Sequence, residues 1–324
     1  MGLTVTDLIT EYGAYYKAGS QNVTRVLKQM MQPTVTENYM TLLKTDDTVY
    51  QLSQGKIADL IQPFQKAFTA KGGMTFTPNK IELNHIKVDD SLYPDDIEAT
   101  WLGFLSSSDL TRKDWPIVRY IIEQYYLPKI KDNLELKEIF KGIYAAPGAG
   151  VAGATGTSMD GIGKKITDGL ADGTINFANL GVVTTANIFD KVELFIDHIS
   201  EVYQGVEMNV FMSKSWEKAY LRDKRSQAYY NIGSDAQIAN RIDFTPQSVV
   251  GLPSMNGSDV FFATPKDNML YVQKKDLNKY RFNIEESKRE VYFMTDWYEG
   301  VGFGINEIVW AYDPTVSVAS SSGI

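Results

Sequence analysis

Along the chain the spacing of apolar residues changes several times, and each change predicts an element. Residues 1–44 open with two short helical stripes. Thr6 precedes Leu8, Ile9 and Tyr12. Asn22 precedes Val23, Val26, Leu27, Met30 and Met31 at i, i+3, i+4, i+7 and i+8, and Pro33 ends the stripe. That stripe suits packing either on the chain's own core or on a neighbouring copy. Polar residues then dominate 45–78, where a patch of Ile57, Leu60 and Ile61 is cut by Pro63 and a Gly72-Gly73 pair follows. Few positions there can bury a continuous face, so the pattern predicts a long excursion from the body. Alternation returns over 80–88, with Ile81, Leu83 and His85 on one side and Glu82 and Asn84 on the other, as in a half-buried strand.

Helical spacing resumes at Asp114, an N-cap with Pro116 in the first turn. Ile117, Ile121, Tyr125, Ile130, Leu134 and Phe140 form an inward stripe, and about 26 residues give a rod on the order of 40 Å, kinked at Pro128. Residues 145–163 are glycine-rich and predict a mobile connection. A second strong helix opens at Thr185, with Ile188, Val192, Phe195, Ile199 and Val202 on one face and Gly205 beyond its end. The strand 207–212 follows, then a helix with Ser213 as N-cap and Trp216, Ala219 and Tyr220 at helical spacing. A polar stretch, 222–246, leads to short apolar strands at 249–253, 260–263, 280–284 and 291–293. In the last strand region, 301–312, Val301, Phe303 and Ile305 face one way while Gly302 and Gly304 leave the other face bare, inviting close approach by another backbone. Parity then switches to Ile308, Trp310 and Tyr312, which predicts a bulge near Asn306-Glu307.

Composition narrows the function classes. The 44% hydrophobic share supports a sizeable core, and no apolar run approaches about 18 residues, so no membrane partner or spanning helix is expected. No secretory signal is visible at the N-terminus, so the sequon Asn22-Val-Thr24 reads as a helix start. The absence of cysteine excludes disulfides, thiolate nucleophiles and cysteine zinc sites. A net charge of −8, with only Lys164-Lys165 and Lys274-Lys275 as basic pairs, allows no more than weak contact with nucleic acid.

Candidate chemistry is sparse. Gly148-Ala-Gly-Val-Ala-Gly153 matches the dinucleotide pattern G-x-G-x-x-G, with Asp172 about 20 residues on. That pattern requires a strand before it and a helix opening on its third glycine. A helix precedes it here and more glycine follows, so no cofactor is assigned to it. His85 and His198 lack a second histidine at metal-binding spacing, and His198 is placed beside the core stripe. Asp89, Asp90, Asp95 and Asp96 offer hard oxygen ligands without the spacing of a calcium loop, and read as turn and cap residues. No G-x-S-x-G elbow is present. Catalytic, cofactor-binding and metal-binding residues are therefore each expected to be none. The 19 Tyr and 15 Phe read as core and subunit interface.

The order of elements, together with Val210-Phe-Met-Ser-Lys-Ser-Trp216, Gly251-Leu-Pro253 and Gly302-Phe-Gly-Ile-Asn-Glu-Ile-Val-Trp310, resembles the major capsid proteins of tailed bacteriophages, the Hong Kong 97-type α+β fold. The resemblance implies an arm in 1–44 and an extended loop in 45–79. It implies a peripheral domain in 80–179 and 269–295, with the spine helix in 114–141, and an axial domain in 180–268 and 296–324. By the same resemblance the chain is a non-enzymatic structural subunit of an icosahedral virion shell. It would pair with itself as hexamers and pentamers that enclose double-stranded DNA, after assembly in the host bacterial cytoplasm. A portal protein, a separate scaffolding protein and a decoration protein are the implied partners. The arm begins within the first ten residues, so an unprocessed N-terminus is expected. Two other readings stand beside it: an encapsulin-type compartment shell, and a nucleotide-dependent enzyme using the 148–153 loop.

Overall fold

The computed structural model describes residues 34–107, 117–226, 240–275, 280–287 and 290–316. The two N-terminal helical stripes, the Asp114 cap with Pro116, much of the 222–246 stretch and the tail 317–324 lie outside them. After a short turn at Glu37–Tyr39, β1 (Thr41–Thr45) leads to a hairpin of β2 (Val49–Ile57) and β3 (Met74–Glu82), then β4 (Asn84–Leu92) and α1 (Pro94–Ser107). The expected strand over 80–88 is thus two strands that break at Leu83, whose N–H donates to the Thr48 carbonyl at 2.9 Å. The break shifts parity by one. Ile81 and Leu83 stay buried, but Ile86 takes the next inward position and His85 turns outward.

The spine helix α2 runs from Ile117 to Glu138 and alternates α turns (Ile117–Ile121, Leu127–Asn133) with π turns (Ile122–Tyr126, Leu134–Glu138). The π turn directly precedes Pro128, which has no N–H for an ordinary helical bond, so wider winding accommodates the proline. Each π turn also rotates the stripe by about one residue. Ile117, Ile121, Ile130, Leu134 and Phe140 are buried as expected, but Tyr125 is half-exposed, and Ile122 and Leu127 are buried in its stead.

Next come α3 (Ile162–Ala171), β5 (Asn176–Phe177), α4 (Ile188–Asp197), α5 (Glu201–Gln204), β6 (Asn209–Ser213), α6 (Lys214–Ser226), β7 (Ser248–Leu252) and β8 (Phe261–Thr264). The chain closes with β9 (Met269–Lys274), β10 (Tyr280–Ser287), β11 (Glu290–Phe303) and β12 (Trp310–Tyr312). The helix expected from Thr185 starts later, at Ile188, and breaks before Val202. Ser200 is extended, and the Gln204 side-chain amide donates to the Ile199 carbonyl at 2.9 Å. Val202 consequently points to solvent at 81% exposure rather than extending the stripe. The expected bulge at Asn306-Glu307 is instead a short helical turn, Asn306–Ile308, where the chain leaves one sheet for another, and Ile305 at that crossing is 40% exposed.

Two five-stranded sheets organise these elements. In the first, β1 lies parallel to β9, β9 antiparallel to β11, and β11 antiparallel to both β10 and β4. In the second the order is β5-β12-β8-β6-β7. The largest core cluster lies under both sheets: Ile130, Leu134 and Phe140 of the spine region and Ile162 and Ile166 of α3 meet Trp297 and Phe303 of one sheet and Phe211 and Phe262 of the other. The opposite face of the second sheet, with Val210, Phe261 and Trp310, is covered by Val192 and Phe195 of α4 and Tyr220 of α6. Trp101 and Leu105 of α1 pack with the start of the spine on Val291 and Phe293.

Candidate assembly surfaces

The excursion expected over 45–78 is a hairpin whose root is core and whose tip is bare. β2 and β3 pair antiparallel from Val49↔Glu82 to Ile57↔Met74 and form a sheet of their own. At the root, Ile81 is 2% exposed and fills the face left open by Gly302, where a Cβ would sit 2.8 Å from the Ile81 side chain. Asn79 donates to the Phe303 carbonyl at 2.7 Å and the Gly304 carbonyl at 3.2 Å. The bare face read from the glycines of β11 is therefore real, and what approaches it is the chain's own hairpin. Toward the tip, Ile61, Phe64 and Phe68 are 90%, 93% and 95% exposed. Transfer of such side chains from water is worth roughly 2 kcal/mol each, a gain the isolated chain forgoes. The tip also carries the charged residues Asp59, Lys66 and Lys71.

A second junction ties the segment before β1 to the spine. The Thr36 hydroxyl donates to the Glu135 carboxylate at 2.6 Å, the Thr36 N–H reaches the same carboxylate at 3.2 Å, and Ser254 shares the Thr36 hydroxyl at 2.7 Å. All three side chains are buried, so the carboxylate is solvated by the protein itself. Nearby, Tyr271 donates to buried Glu299 at 2.5 Å. Glu37 lies between these acids. Its carboxyl is pushed up from 4.5 to about 7, first by burial and then by the Glu299 charge, while hydrogen bonds from Thr34 pull it back.

The sign of the linkage follows. A carboxyl raised on folding contributes stability that is complete below pH 4.5 and lost as pH climbs through about 7. Glu37→Gln should therefore leave the unfolding midpoint near pH 5 almost unchanged and raise it at pH 8, by the equivalent of roughly 1–3 kcal/mol. Equal offsets at both pH values in thermal unfolding would refute this.

The glycine-rich stretch is less free than its composition predicts. Glu138 at the end of the spine accepts Gly156 N–H at 2.7 Å, Ser158 N–H at 3.1 Å and the Ser158 hydroxyl at 3.1 Å. Gly142 and Gly161 permit the close return, since a Cβ on either would lie 2.6 Å or less from backbone oxygens. Gly148, Gly150 and Gly153 lie in irregular chain between the spine and α3, which starts only at Ile162. Neither the strand nor the helix of a dinucleotide site adjoins them, and Asp172 caps the far end of α3.

The remaining candidates serve local structure. His85 stacks on Tyr298 at 4.2 Å with Nε2 2.6 Å from Asp296. His198 is exposed at the end of α4, with Nδ1 2.8 Å from the Leu194 carbonyl, rather than beside the core stripe. Asp89 pairs with Lys87 at 2.5 Å, and the Asp90 carboxylate accepts the Ser91 N–H at 2.9 Å. Asp95 and Asp96 lie in the first turn of α1. Asp89, Asp90, Glu138 and Gly153 do share one groove, about 710 Å³, between β4, the spine and the loop, but among the described residues no carboxylate–histidine group has metal-binding geometry. Both basic pairs are engaged within the chain: Lys164 with Asp168, Lys165 with Asp160 at 3.8 Å, Lys275 with Asp46 at 3.1 Å, and Lys274 over the Tyr298 ring at 4.4 Å. Among the described residues no helix is long and apolar enough to cross a membrane.

No family model and no curated protein matches the sequence. Solved structures match nearly end to end. A chain of the satellite phage P4 procapsid that includes the size determination (Sid) protein is 13% identical, with 90% of this chain and 98% of that one covered and a TM-score of 0.52. The capsid of Myoviridae phage XM1 matches at 9% identity over 86% and 90%, with a TM-score of 0.53. The capsid of an empty GTA particle matches at 9% identity over 96% and 99%, with a TM-score of 0.51. The chain thus has the Hong Kong 97-type α+β fold that these phage and GTA capsid structures share.

Proposed function

We propose that this chain is the major capsid protein of a tailed bacteriophage, a non-enzymatic structural subunit that assembles with itself into hexamers and pentamers of an icosahedral shell around double-stranded DNA. One observation carries the reading beyond the shared fold. The hairpin holds its root in the core and presents Ile61, Phe64 and Phe68 almost wholly to solvent, an arrangement that profits from burial against another subunit. In this reading 1–44 is an arm, 45–79 the extended loop, 80–179 with 269–295 a peripheral domain, and 180–268 with 296–324 an axial domain. Net charge −8 and internally paired lysines suit a wall that touches packaged DNA weakly. A separate scaffolding protein, a portal and a decoration protein belong to the same proposal, as do the virion as its final location and the host cytoplasm as the place of assembly.

Expression of the chain with and without its scaffolding partner, followed by electron microscopy and sedimentation, tests the reading. Closed shells, pentamers or hexamers are the expected result. A monomer under every assembly condition would overturn it.

A further inference from the structure

Phe244 is the single non-glycine residue with positive φ (61°) among those described, and its ring is fully exposed. A bulky side chain in the left-handed region is disfavoured and persists only where its surroundings enforce it. Here Thr245 donates both its N–H, at 3.3 Å, and its hydroxyl, at 3.0 Å, to the Ile242 carbonyl, while Arg241 Nε donates to the Thr245 carbonyl at 2.9 Å. Gln247 then ties the turn to the Gln204 and Val206 carbonyls at 2.7 and 3.1 Å. The turn is built to hold an aromatic ring in water.

At the other side of the same sheet lies a hollow of about 390 Å³ whose lining includes Phe177, Val182, Val183, Trp216, Tyr312 and Asp259. Val182 at its rim is 79% exposed. In the order β5-β12-β8-β6-β7, the hollow adjoins β5 and β12 at one edge, and the Phe244 turn precedes β7 at the other. The registers separate them lengthwise too. Ser248 pairs with Asn209 and Asn209 with Thr264, whereas Tyr312 pairs with Phe261 at the far end of β8.

We propose that Phe244 of one copy inserts into this hollow on the next copy, joining subunits head to tail around a ring. The inference rests on the shell reading above. A projection and a matching recess at opposite corners of one sheet mate only between copies, and such a heterologous contact closes into a ring when its rotation permits. The charges are compatible: Arg241 flanks the projection, where Asp243 is neutralised by Lys224 at 3.0 Å, while Asp259 and Asp313 line the recess with no Lys or Arg among the lining residues. An aromatic anchor in an apolar pocket with a charged rim is the usual composition of an interface centre.

The chain has no cysteine, so Pro246→Cys and Val182→Cys together place two unique thiols beside the contact and leave Phe244 and the hydrogen bonds of its turn intact. Particles of this variant, treated with a short bis-maleimide and run on a denaturing gel, should give a ladder ending at five and six subunits. Intact particles that yield only monomer would overturn the contact while leaving the shell reading standing, and would assign the hollow to some other occupant. A ladder stopping at dimers would overturn the ring geometry. Failure of the unmodified chain to form particles overturns both. Phe244→Gly supplies a second readout, because glycine accepts positive φ without strain. The subunit's thermal midpoint should hold or rise while closed particles fall about tenfold. Normal assembly of Phe244→Gly would also sink the proposal.

Discussion

Chains in which residues 58–73 are replaced by Asn-Gly should fold and fail to close shells. The deletion is placed by the register: Ile57 pairs with Met74, so a two-residue turn can join the strands where they already end, and Asn-Gly is the favoured connection for such a hairpin. Nothing that supports the subunit is removed. Within 58–73 the described residues are exposed throughout, and Gln62, Gln65 and Lys71 hydrogen-bond within the tip itself. Shortening a surface loop changes closure entropy only slowly with length, so circular dichroism and the thermal midpoint should stay close to those of the parent. Assembly should lose a contact of three large apolar side chains, an effect of roughly 6 kcal/mol per contact when each is worth about 2. Microscopy showing normal shells would remove the tip from assembly, and an unfolded subunit would place it in the core. Cutting farther down is a different experiment, because Asn79 and Ile81 belong to the body.

Much of this was legible in the amino-acid order. The excursion announced itself by lacking a face to bury, and the bare side of β11 by Gly302 and Gly304. What escaped had physical causes outside local pattern. Period counting assumes uniform winding, so the π turns that expel Tyr125 and bury Ile122 and Leu127 were invisible to it. The break at Ser200 is fixed by a Gln204 side chain reaching back, and Val202 carries no sign of it. The acidic run around Pro94 concealed α1. Pro94 at the first position and acids after it are a start signal, but read as turn and cap residues they point to no helix behind them. β1 and β9 pair across most of the chain's length, which no window spans. At the candidate surfaces, apolar residues at 61, 64 and 68 were readable and their exposure was not, while the positive φ of Phe244 had no sequence signal.

Gly300→Ala should destabilise the subunit by about 3 kcal/mol, near the upper end for overpacking, whereas Gly103→Ala should stabilise it by up to about 1 kcal/mol. A Cβ at position 300 would lie 2.3 Å from the Glu82 carbonyl oxygen, which is backbone at the hairpin root and cannot rotate away. At 103, on an exposed turn of α1, a Cβ meets nothing within 4 Å, and alanine simply favours the helix. Gly302 separates backbone from side-chain crowding. Its Cβ would meet Ile81 Cγ1 at 2.8 Å, so Gly302→Ala should be costly alone but partly rescued by Ile81→Ala. That coupling is the non-additivity expected of residues in contact. Gly300→Ala should gain nothing from Ile81→Ala beyond the separate costs, since its obstacle is the Glu82 carbonyl. Chemical denaturation of the three single and two double variants measures both couplings. Equal rescue at 300 and 302 would show that the root yields as a flexible side chain does, and the hairpin would then be held to the body by packing alone and not by the backbone of β3 lying against β11.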